Sequence, residues 1–566
     1  MAEIAPREVT PPPLQAPTAK EKKYDRQLRL WAASGQRALE ESHVLLVIGD
    51  ENHGSNSSVA GAETLKNLIL PSIGNFTIAD PATVTDADLG VNFFLETDSL
   101  HKSRAQETRR LLSELNPDVT GHAITTPLSE WLPTENSLQP YNLILLCAPV
   151  PLQYLQRICN YATERSIPVI YIQSAGFLAS FSIQLPHEFP IVDTHPDPES
   201  TQDLRLLAPW PELEAVVDSL GDITSLPDHE HGHIPYIILL LHYLREWRKS
   251  HNGSYPSTFK EKTEFRDLVR SGARTNNPEG SEENYDEACA AVLKSITPPP
   301  IGSGCKEMMN MASCTDVTKD SANFWVIARA IRQFYETHGV LPLPGSLPDM
   351  KATSSEYIKL QSTYKTKARA DVAEVTRVVR MLEKDLSRTT SHIEDSEIEA
   401  FCKNASHVRV LTNTNNDPVP SLRLALGDAK TLARLPTMVD NDWEGMLPVF
   451  VGLNAANVDV SAMSSDEEVQ ANYANAVKEV ERAKGGELHN ISSVLGGMVA
   501  QEAIKLLTRQ YVPVDGTCVF DGANKSADRL NTWVVNENGN DDDEDDDHVK
   551  IASASIRLAV KNHYLI

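Results

Sequence analysis

The sequence predicts an α/β fold with a doubly wound parallel sheet, interrupted by a large, mainly helical domain. Three observations support this prediction. Short apolar segments alternate with helical patterns in the first third of the chain, the middle changes to long amphipathic helices, and α/β character returns near the C-terminus. Alternating strands and helices are typical of parallel sheets, because each crossover helix covers one face of the sheet. With 566 residues, the chain is long enough for several domains.

The first predicted strand, His43 to Ile48, is a short apolar run rich in β-branched residues. Gly49 follows it directly. In a nucleotide-binding fold the next turn is glycine-rich, and the backbone N–H groups at the start of the following helix meet phosphate. Here the next glycine in phase is Gly61, at the opening of the helical stretch 62–70, and the polar, initially acidic segment 50–60 intervenes. The sequence therefore predicts the scaffold of a nucleotide site without its phosphate-binding turn.

The remaining elements continue the same alternation. Further strands are predicted where short apolar runs recur, at residues 76–79, 141–147, 169–172, 517–520 and 551–560. In the middle of the chain, apolar residues at three- and four-residue spacing predict two amphipathic helices. The first stripe is Phe324, Ile327, Ala328, Ile331, Phe334 and Tyr335, and the second is Val372, Val375, Val379, Leu382 and Leu386. We expect both stripes to face a core.

These elements define the predicted domains. Residues 1–20 contain many prolines and no apolar segment, which is typical of a disordered leader. The α/β domain is predicted from residues 21–173 together with 485–566, and the mainly helical domain from residues 174–484. Within the C-terminal segment, seven consecutive acidic residues at 541–547 repel one another and predict a solvated loop.

Composition opposes several classes of partner. The formal net charge of −26 argues against nucleic acid or an anionic membrane as the main partner. The longest apolar run begins at Tyr236 and is far shorter than the about 20 residues that span a bilayer. Seven cysteines without a CxxC pair are typical of a reduced intracellular protein without a zinc ribbon. Because export and membrane signals are missing, we expect a cytoplasmic or nuclear location.

Three histidines at alternate positions, His229, His231 and His233, suggest a metal site at first sight. They lie in a short segment between two prolines and lack a fourth ligand and a rigid frame. We therefore expect no bound metal.

Several segments resemble the ubiquitin-like activating enzymes. Residues 24–31 read YDRQLRLW and are followed by Gly35 and Gln36, whereas the adenylation halves of that family begin YDRQ.RLWG. The similarity continues through residues 65–80, 92–95, 203–213, 357–368 and 489–510. The resemblance implies a Rossmann-like adenylation-type fold, as in ThiF and MoeB. It also implies that the helical insertion resembles a catalytic-cysteine domain without the cysteine.

Within that family, the chain resembles the regulatory, catalytically inactive subunits of neddylation-activating enzymes. Such a subunit forms a heterodimer with a catalytic subunit, which adenylates the C-terminus of the modifier Nedd/Rub with ATP and then forms a thioester. These reactions start the neddylation of cullins. The resemblance thus implies two protein partners, the catalytic subunit and the modifier. It also implies that ATP and Mg²⁺ bind in the partner subunit and that this chain binds no cofactor.

Departures from the family pattern at individual positions lead us to expect that this chain does not use ATP without a partner. Asp80 stands where the family has an acid that faces the ribose. The family motif SNLNRQFLF corresponds to residues 86–95, with Gly90 and Val91 in place of its asparagine and arginine. Arg104 stands where the family motif has a lysine. Adenylation accumulates charge on phosphate, and an active site must neutralise that charge.

The thioester reaction of the family needs an exposed, nucleophilic cysteine. Cys314 precedes a threonine, as in active relatives, but Asp316 follows and the expected proline is missing. Cys305, beside Lys306 in a glycine-rich segment, is the other candidate. Most free cysteines are small apolar core residues, and we expect this for both.

Arg26 is the one residue for which the resemblance implies a catalytic role. In the family, the arginine of the YDRQ motif reaches across the subunit interface to the ATP phosphates of the other half, as an arginine finger in trans. The alternative is that Arg26 and Arg29 are solvated helix residues, with Arg26 paired to Asp25.

Residues 349–365 correspond to a family segment that contacts the catalytic subunit. Tyr357, Leu360 and Tyr364 lie in it at helical spacing, so the resemblance implies that these side chains contact the partner. The alternative is an ordinary core helix of the helical domain.

Two other functional classes remain open. One is an autonomous homodimeric adenylating enzyme of the ThiF/MoeB type, and the other is a Rossmann-type oxidoreductase. The missing glycine turn opposes both, and Val91 further opposes the first.

Overall fold

The computed structural model describes residues 16–49, 58–134, 136–197, 200–275, 281–299, 301–388, 392–412, 446–454, 467–514, 516–524 and 526–530. The predicted strand at 551–560, the acidic loop at 541–547 and the first 15 residues of the predicted leader lie outside this description.

The strands and helices of the described residues are as follows. The strands are β1 (His43–Ile48), β2 (Asn75–Ala79), β3 (Thr120–Ile124), β4 (Leu143–Cys147), β5 (Val169–Ala175), β6 (Leu178–Gln184), β7 (Glu188–Val192), β8 (Val408–Thr412), β9 (Thr517–Asp521) and β10 (Ser526–Leu530). The helices are α1 (Ala19–Lys23), α2 (Asp25–Glu40), α3 (Ser58–Ile69), α4 (Asp86–Val91), α5 (Arg104–Ser113), α6 (Leu128–Trp131), α7 (Leu152–Glu164), α8 (Pro211–Asp218), α9 (Asp228–His231), α10 (Tyr236–Ser250), α11 (Phe259–Ser271), α12 (Glu283–Ser295), α13 (Ser303–Asn310), α14 (Ala312–Thr315), α15 (Asn323–His338), α16 (Ser354–Asp385), α17 (Asp395–Lys403), α18 (Leu447–Asn454), α19 (Glu467–Ala483) and α20 (His489–Thr508).

The chain divides into two compact units, an α/β unit (Met1–Phe189 with Thr412–Ile566) and a helical unit (Pro190–Leu411). The helical unit covers a shorter stretch of the sequence than the helical domain predicted at residues 174–484. One reason is that β6 pairs with both β5 and β9 and so extends the sheet of the α/β unit. The other is that Phe450 of α18 and Val519 of β9 belong to one hydrophobic core. Helix α1 begins at Ala19, within the range 1–20 that was predicted as a leader.

The described strands of the α/β unit form an eight-stranded sheet in the order β10-β9-β6-β5-β4-β1-β2-β3. Strands β1 to β5 are parallel to one another, which confirms the predicted doubly wound sheet. Strands β6, β9 and β10 pair in antiparallel fashion. In β1, every residue from Val44 to Ile48 is buried. A continuous apolar run is expected for a parallel strand that is covered on both faces.

The described residues of the helical unit include two hydrophobic cores, and the 32-residue helix α16 contributes to both. Leu360 and Tyr364 belong to one core, and Val375 and Val379 belong to the other. The predicted stripe on α15, and the α16 stripe from Val372 to Leu382, belong to the second core or pack against it, which confirms these stretches as core-facing. Leu386, the last residue of the predicted α16 stripe, is the half-buried C-cap of the helix. Strands β7 and β8 form a separate two-stranded sheet. Within the described ranges, no helix combines the length and the apolar character needed to cross a membrane.

Candidate functional site

The α/β unit places a helix N-terminus where related folds bind phosphate. Strands β1 and β4 are neighbours at the point where the crossovers change direction, and ligands of such sheets bind at the carboxyl ends of the strands there. A Cβ atom at Gly61 of α3 would lie 2.7 Å from Sγ of Cys147 and 2.8 Å from Cδ1 of Leu46. Gly61 therefore allows α3 to pack closely against these strands, and the scaffold of the predicted nucleotide site is present.

A side chain of the protein itself fills this helix N-terminus. The carboxylate of Glu487 accepts hydrogen bonds from the backbone N–H groups of Val59 (2.8 Å) and Ala60 (3.1 Å). It also accepts one from the hydroxyl of Ser492 (2.8 Å), and Glu487 is only 8% exposed. A carboxylate at this position satisfies free N–H groups and interacts favourably with the helix dipole, as a phosphate would. No local pattern in the sequence predicts this contact.

Glu487 should make the stability of the α/β unit depend on pH. Burial raises the pKa of this carboxyl to about 7, although its three hydrogen-bond donors act in the opposite direction. The ordinary pKa of this group is 4.5, and its higher pKa in the folded protein means that folding favours the neutral carboxyl. Its contribution to the free energy of unfolding is therefore complete below pH 4.5 and is lost as the pH rises through about 7. The free energy of unfolding of the wild type, relative to Glu487→Gln, should fall by about 3 kcal/mol over this range. Urea denaturation at a series of pH values measures this difference, and a constant difference would contradict the prediction.

A buried ion pair engages the acid that was expected to face a ribose. Arg104 donates through Nε to Oδ2 of Asp80 (2.6 Å) and through Nη2 to its Oδ1 (3.2 Å). Its Nη1 also donates to Asp88 (2.8 Å). Burial acts to lower the pKa of Arg104, but the two carboxylates outweigh burial and raise it overall. Asp80 is 1% exposed, and both of its carboxylate oxygens accept hydrogen bonds from Arg104. This corrects the expectation that Asp80 faces a ribose hydroxyl.

The segment that stands in place of the family's phosphate-binding motif offers no cation. The carbonyl of Val91, at the end of α4, accepts a hydrogen bond from Nδ1 of His489 (3.0 Å). Phe93 stacks on the His489 ring, with the ring centroids 3.7 Å apart. Gly90 borders open space, since a Cβ atom there would meet nothing within 4 Å. Neither Gly90 nor Val91 can neutralise phosphate charge.

Arg26 lies exposed on a short helical arm. This arm, Asp25–Trp31, is the first part of α2, and the non-helical backbone of Ala32 (φ 54°, ψ −178°) separates it from the rest. Asp25 forms its ion pair with Arg29 (3.0 Å), so the alternative of an Arg26–Asp25 pair is wrong. Arg26 has no hydrogen-bond or ion-pair partner in the part of the chain that the structure describes. Its role in trans stays a prediction.

Ala32→Gly should stabilise the α/β unit by about 1 kcal/mol. The backbone of Ala32 occupies a region that is essentially reserved for glycine and costs other residues about 1–3 kcal/mol. The family opening has glycine at this position. The extra flexibility of glycine in the unfolded chain offsets part of the gain. As a control, Ala38→Gly in the regular part of α2 should destabilise by about 0.5–1 kcal/mol. Urea denaturation distinguishes the two variants, and destabilisation by both would contradict the strain at Ala32.

Two of the three predicted partner contacts are core residues. Leu360 and Tyr364 on α16 are both 0% exposed. The Tyr364 ring packs edge-on against Trp210, and its hydroxyl donates to the carbonyl of Leu204 (2.6 Å). The prediction of partner contact is therefore corrected for Leu360 and Tyr364, whose side chains are enclosed within the helical unit. Tyr357 is half-buried, and its contact with a partner stays a prediction.

Neither candidate cysteine has the properties of a nucleophile in this conformation. Cys305 and Cys314 are both 0% exposed and belong to one hydrophobic core of the helical unit. Burial raises the pKa of the Cys305 thiol to about 12 and that of Cys314 to about 11. A reactive cysteine needs solvent access and a lowered pKa, so both residues are core residues, as predicted from the sequence.

The three histidines near α9 do not face a common point. The rings of His229 and His233 stack with centroids 4.4 Å apart. His231 is buried, and its ring nitrogens contact Glu282 (2.8 Å) and the hydroxyl of Tyr285 (3.1 Å). His231 is thus part of the hydrogen-bonded interior of the helical unit. Among the described residues, no three His, Cys, Asp or Glu side chains form a group that could hold a metal ion.

Comparison with known proteins covers almost the whole chain. A model of the ThiF family matches residues 24–537. The chain is 34% identical over 534 residues to the NEDD8-activating enzyme E1 regulatory subunit of Danio rerio, covering 90% of this chain and 98% of that protein. The protein of the same description from Xenopus laevis is 35% identical over 535 residues, covering 89% and 97%. The NEDD8-activating enzyme E1 regulatory subunit AXR1 of Arabidopsis thaliana is 33% identical over 546 residues, covering 90% and 96%.

Proposed function

The chain belongs to the ThiF family and, within it, to the NEDD8-activating enzyme E1 regulatory subunits, and we propose that it supports adenylation in a catalytic subunit without adenylating by itself. The partner would hold ATP and Mg²⁺, and the modifier NEDD8 would be its substrate. This chain would contribute a scaffold and Arg26. A cytoplasmic or nuclear location stays a prediction.

One observation carries this proposal: the helix N-terminus that would receive phosphate is occupied by Glu487. A bound nucleotide would have to displace this carboxyl from two backbone N–H groups and the Ser492 hydroxyl, and it would bring negative charge to the same place. The Asp80–Arg104 ion pair supports the proposal further, because it engages the acid that would otherwise be available to a ribose.

The chemistry explains why a free arginine is useful to a partner. In adenylation, a carboxylate oxygen of the modifier's C-terminus forms a bond to the α-phosphorus of ATP. The bond from that phosphorus to the bridging oxygen breaks, and pyrophosphate leaves with the electron pair. Negative charge grows on the phosphate oxygens in the transition state, and a guanidinium placed there stabilises it. Arg26 is exposed and unpaired within the described part of the chain, as such a role requires.

The two rival functions find no support in the site. An autonomous ThiF/MoeB-type enzyme would need an open phosphate site in its own chain, and an oxidoreductase would need space for a dinucleotide at the same edge of the sheet. The contacts of Glu487 with Val59 and Ala60 oppose both in the same way.

Equilibrium binding of labelled ATP tests the proposal. The purified chain should show no saturable, Mg²⁺-dependent binding, whereas the separately purified catalytic subunit should bind ATP. Mixing the two should give a complex of one copy of each, as measured by light scattering. Saturable binding of ATP to this chain alone, or failure of the two chains to associate, would contradict the proposal.

A further inference from the structure

The direction of the Arg26 arm is fixed at its far end by Gln510. The arm, Asp25–Trp31, is about 10 Å long at 1.5 Å per residue, and the break at Ala32 uncouples it from the regular part of α2. The side-chain Nε2 of Gln510 donates to the carbonyl of Trp31 (3.0 Å) and contacts the hydroxyl of Ser34 (3.3 Å). Gln510 is 9% exposed. One side chain therefore bridges the residues before and after the break.

The fit around Gln510 leaves little freedom. A Cβ atom at Gly35 would lie 2.9 Å from Nε2 of Gln510, so the glycine provides the space that the amide occupies. Gln510 itself follows the C-cap of α20, a helix that packs along α2 and α3. The break in α2 is thus held by a buried amide that belongs to the body of the α/β unit.

The near end of the arm is fixed by Tyr24. This residue is 2% exposed, and its hydroxyl donates to Oδ2 of Asp118 (2.8 Å) and accepts from Nδ2 of Asn116 (3.1 Å). Asn116 is in turn anchored to the carbonyl of Ile69 (3.0 Å). Arg26 therefore lies on an exposed segment whose two ends are both held by hydrogen bonds of buried side chains.

We propose that Gln510 and Tyr24 are positioning residues for Arg26, which hold the arm so that the guanidinium reaches the phosphates in the partner subunit. The inference rests on the proposed function, because it presupposes that Arg26 acts in trans. A displacement of about 1 Å in a catalytic group can lower a rate by up to about 100-fold. Arg26 has no hydrogen-bond or ion-pair partner of its own in the described part of the chain, so its position depends on how the arm is held.

Gln510→Leu tests the far end, because leucine keeps much of the volume but cannot donate a hydrogen bond. ATP–pyrophosphate exchange by the assembled pair should fall about 10-fold, while the Kd between the subunits changes less than about twofold. In an Arg26→Ala background, the same substitution should change exchange less than about twofold. A purely structural role for Gln510 would lower exchange equally in both backgrounds.

The matched control is Gln36→Leu. Gln36 is also a buried glutamine of this unit, 5% exposed, and its Nε2 donates to the carbonyl of Pro71 (3.1 Å). It lies beyond the break, and its Nε2 also donates to Oε1 of Glu40 (3.2 Å), so both hydrogen bonds go to residues outside the arm. This variant should leave exchange within about twofold of the wild type. A loss equal to that of Gln510→Leu would overturn the inference.

Tyr24→Phe provides a second test that does not depend on the folding of Gln510→Leu. It keeps the buried ring and removes only the hydroxyl, and it should lower exchange about fivefold in the same Arg26-dependent way. If Arg26→Ala lowers exchange strongly but neither Gln510→Leu nor Tyr24→Phe does, the positioning role is wrong and the proposed function stands. If Arg26→Ala itself has no effect, the role of Arg26 fails, and the inference fails with it.

Discussion

Replacing Arg26 with alanine should lower ATP–pyrophosphate exchange by the assembled pair by about 100- to 1000-fold, because one preorganised donor to a developing oxyanion contributes about that much. The substitution should leave the fold and the association of the subunits unchanged, since Arg26 is exposed and makes no ion pair within the described part of the chain. Exchange at saturating ATP and modifier, measured at equal concentrations of complex, gives the comparison.

Arg29→Ala is the matched control for this prediction. Arg29 lies one turn further along the same arm, its side chain is 79% exposed, and it pairs with Asp25 at the surface. Its removal should change exchange by less than about twofold, because an exposed pair of this kind contributes less than about 1 kcal/mol. Equal losses for both variants would mean that the charge of the arm matters and not the position of Arg26. An unchanged rate for Arg26→Ala would reject the role in trans.

Replacing Arg104 with alanine should destabilise the α/β unit by about 3–5 kcal/mol, the largest change in stability that we expect from a single substitution. The substitution leaves Asp80 as a buried carboxylate without its ion pair. Urea denaturation followed by tryptophan fluorescence measures the loss. The double variant Arg104→Ala with Asp80→Ala should be more stable than Arg104→Ala alone, because the unpaired charge is removed as well.

Arg110→Ala on the same helix provides the control. The side chain of Arg110 is 41% exposed and contacts Glu96 (2.9 Å), Glu107 (3.2 Å) and Glu114 (3.4 Å) at the surface. Solvent screens these pairs, so the variant should lose less than about 1 kcal/mol in spite of its three partners. A loss for Arg104→Ala as small as that for Arg110→Ala would contradict the buried ion pair as a main support of this edge of the sheet.

Local patterns in the sequence predicted much of the fold. The apolar run His43 to Ile48 was sufficient to place β1, and the stripes on α15 and α16 identified core faces, because strand and helix periodicity are properties of neighbouring residues. The antiparallel strand β6 was not predicted. Its pairing with β9 joins residues that are more than 300 positions apart, for which periodicity gives no signal.

The candidate site shows the same division between local and distant information. The missing glycine turn and the residues at Gly90 and Val91 could be read directly. The occupant of the helix N-terminus could not, because Glu487 is separated from Val59 by 428 positions. The resemblance misled in one place, since it implied that Leu360 and Tyr364 contact the partner. Spacing could not correct it, because a helical interval fits a partner-facing stripe and a core stripe equally well. Only their burial decides between the two.

The most direct test of the central claim is ATP–pyrophosphate exchange with NEDD8, compared among this chain alone, the catalytic subunit alone and the two together. If the helix N-terminus is closed by Glu487 and Arg26 acts in trans, this chain alone should give no exchange, and the pair should greatly exceed the catalytic subunit alone. Exchange by this chain alone would mean that ATP displaces Glu487 and binds here, which would contradict the account.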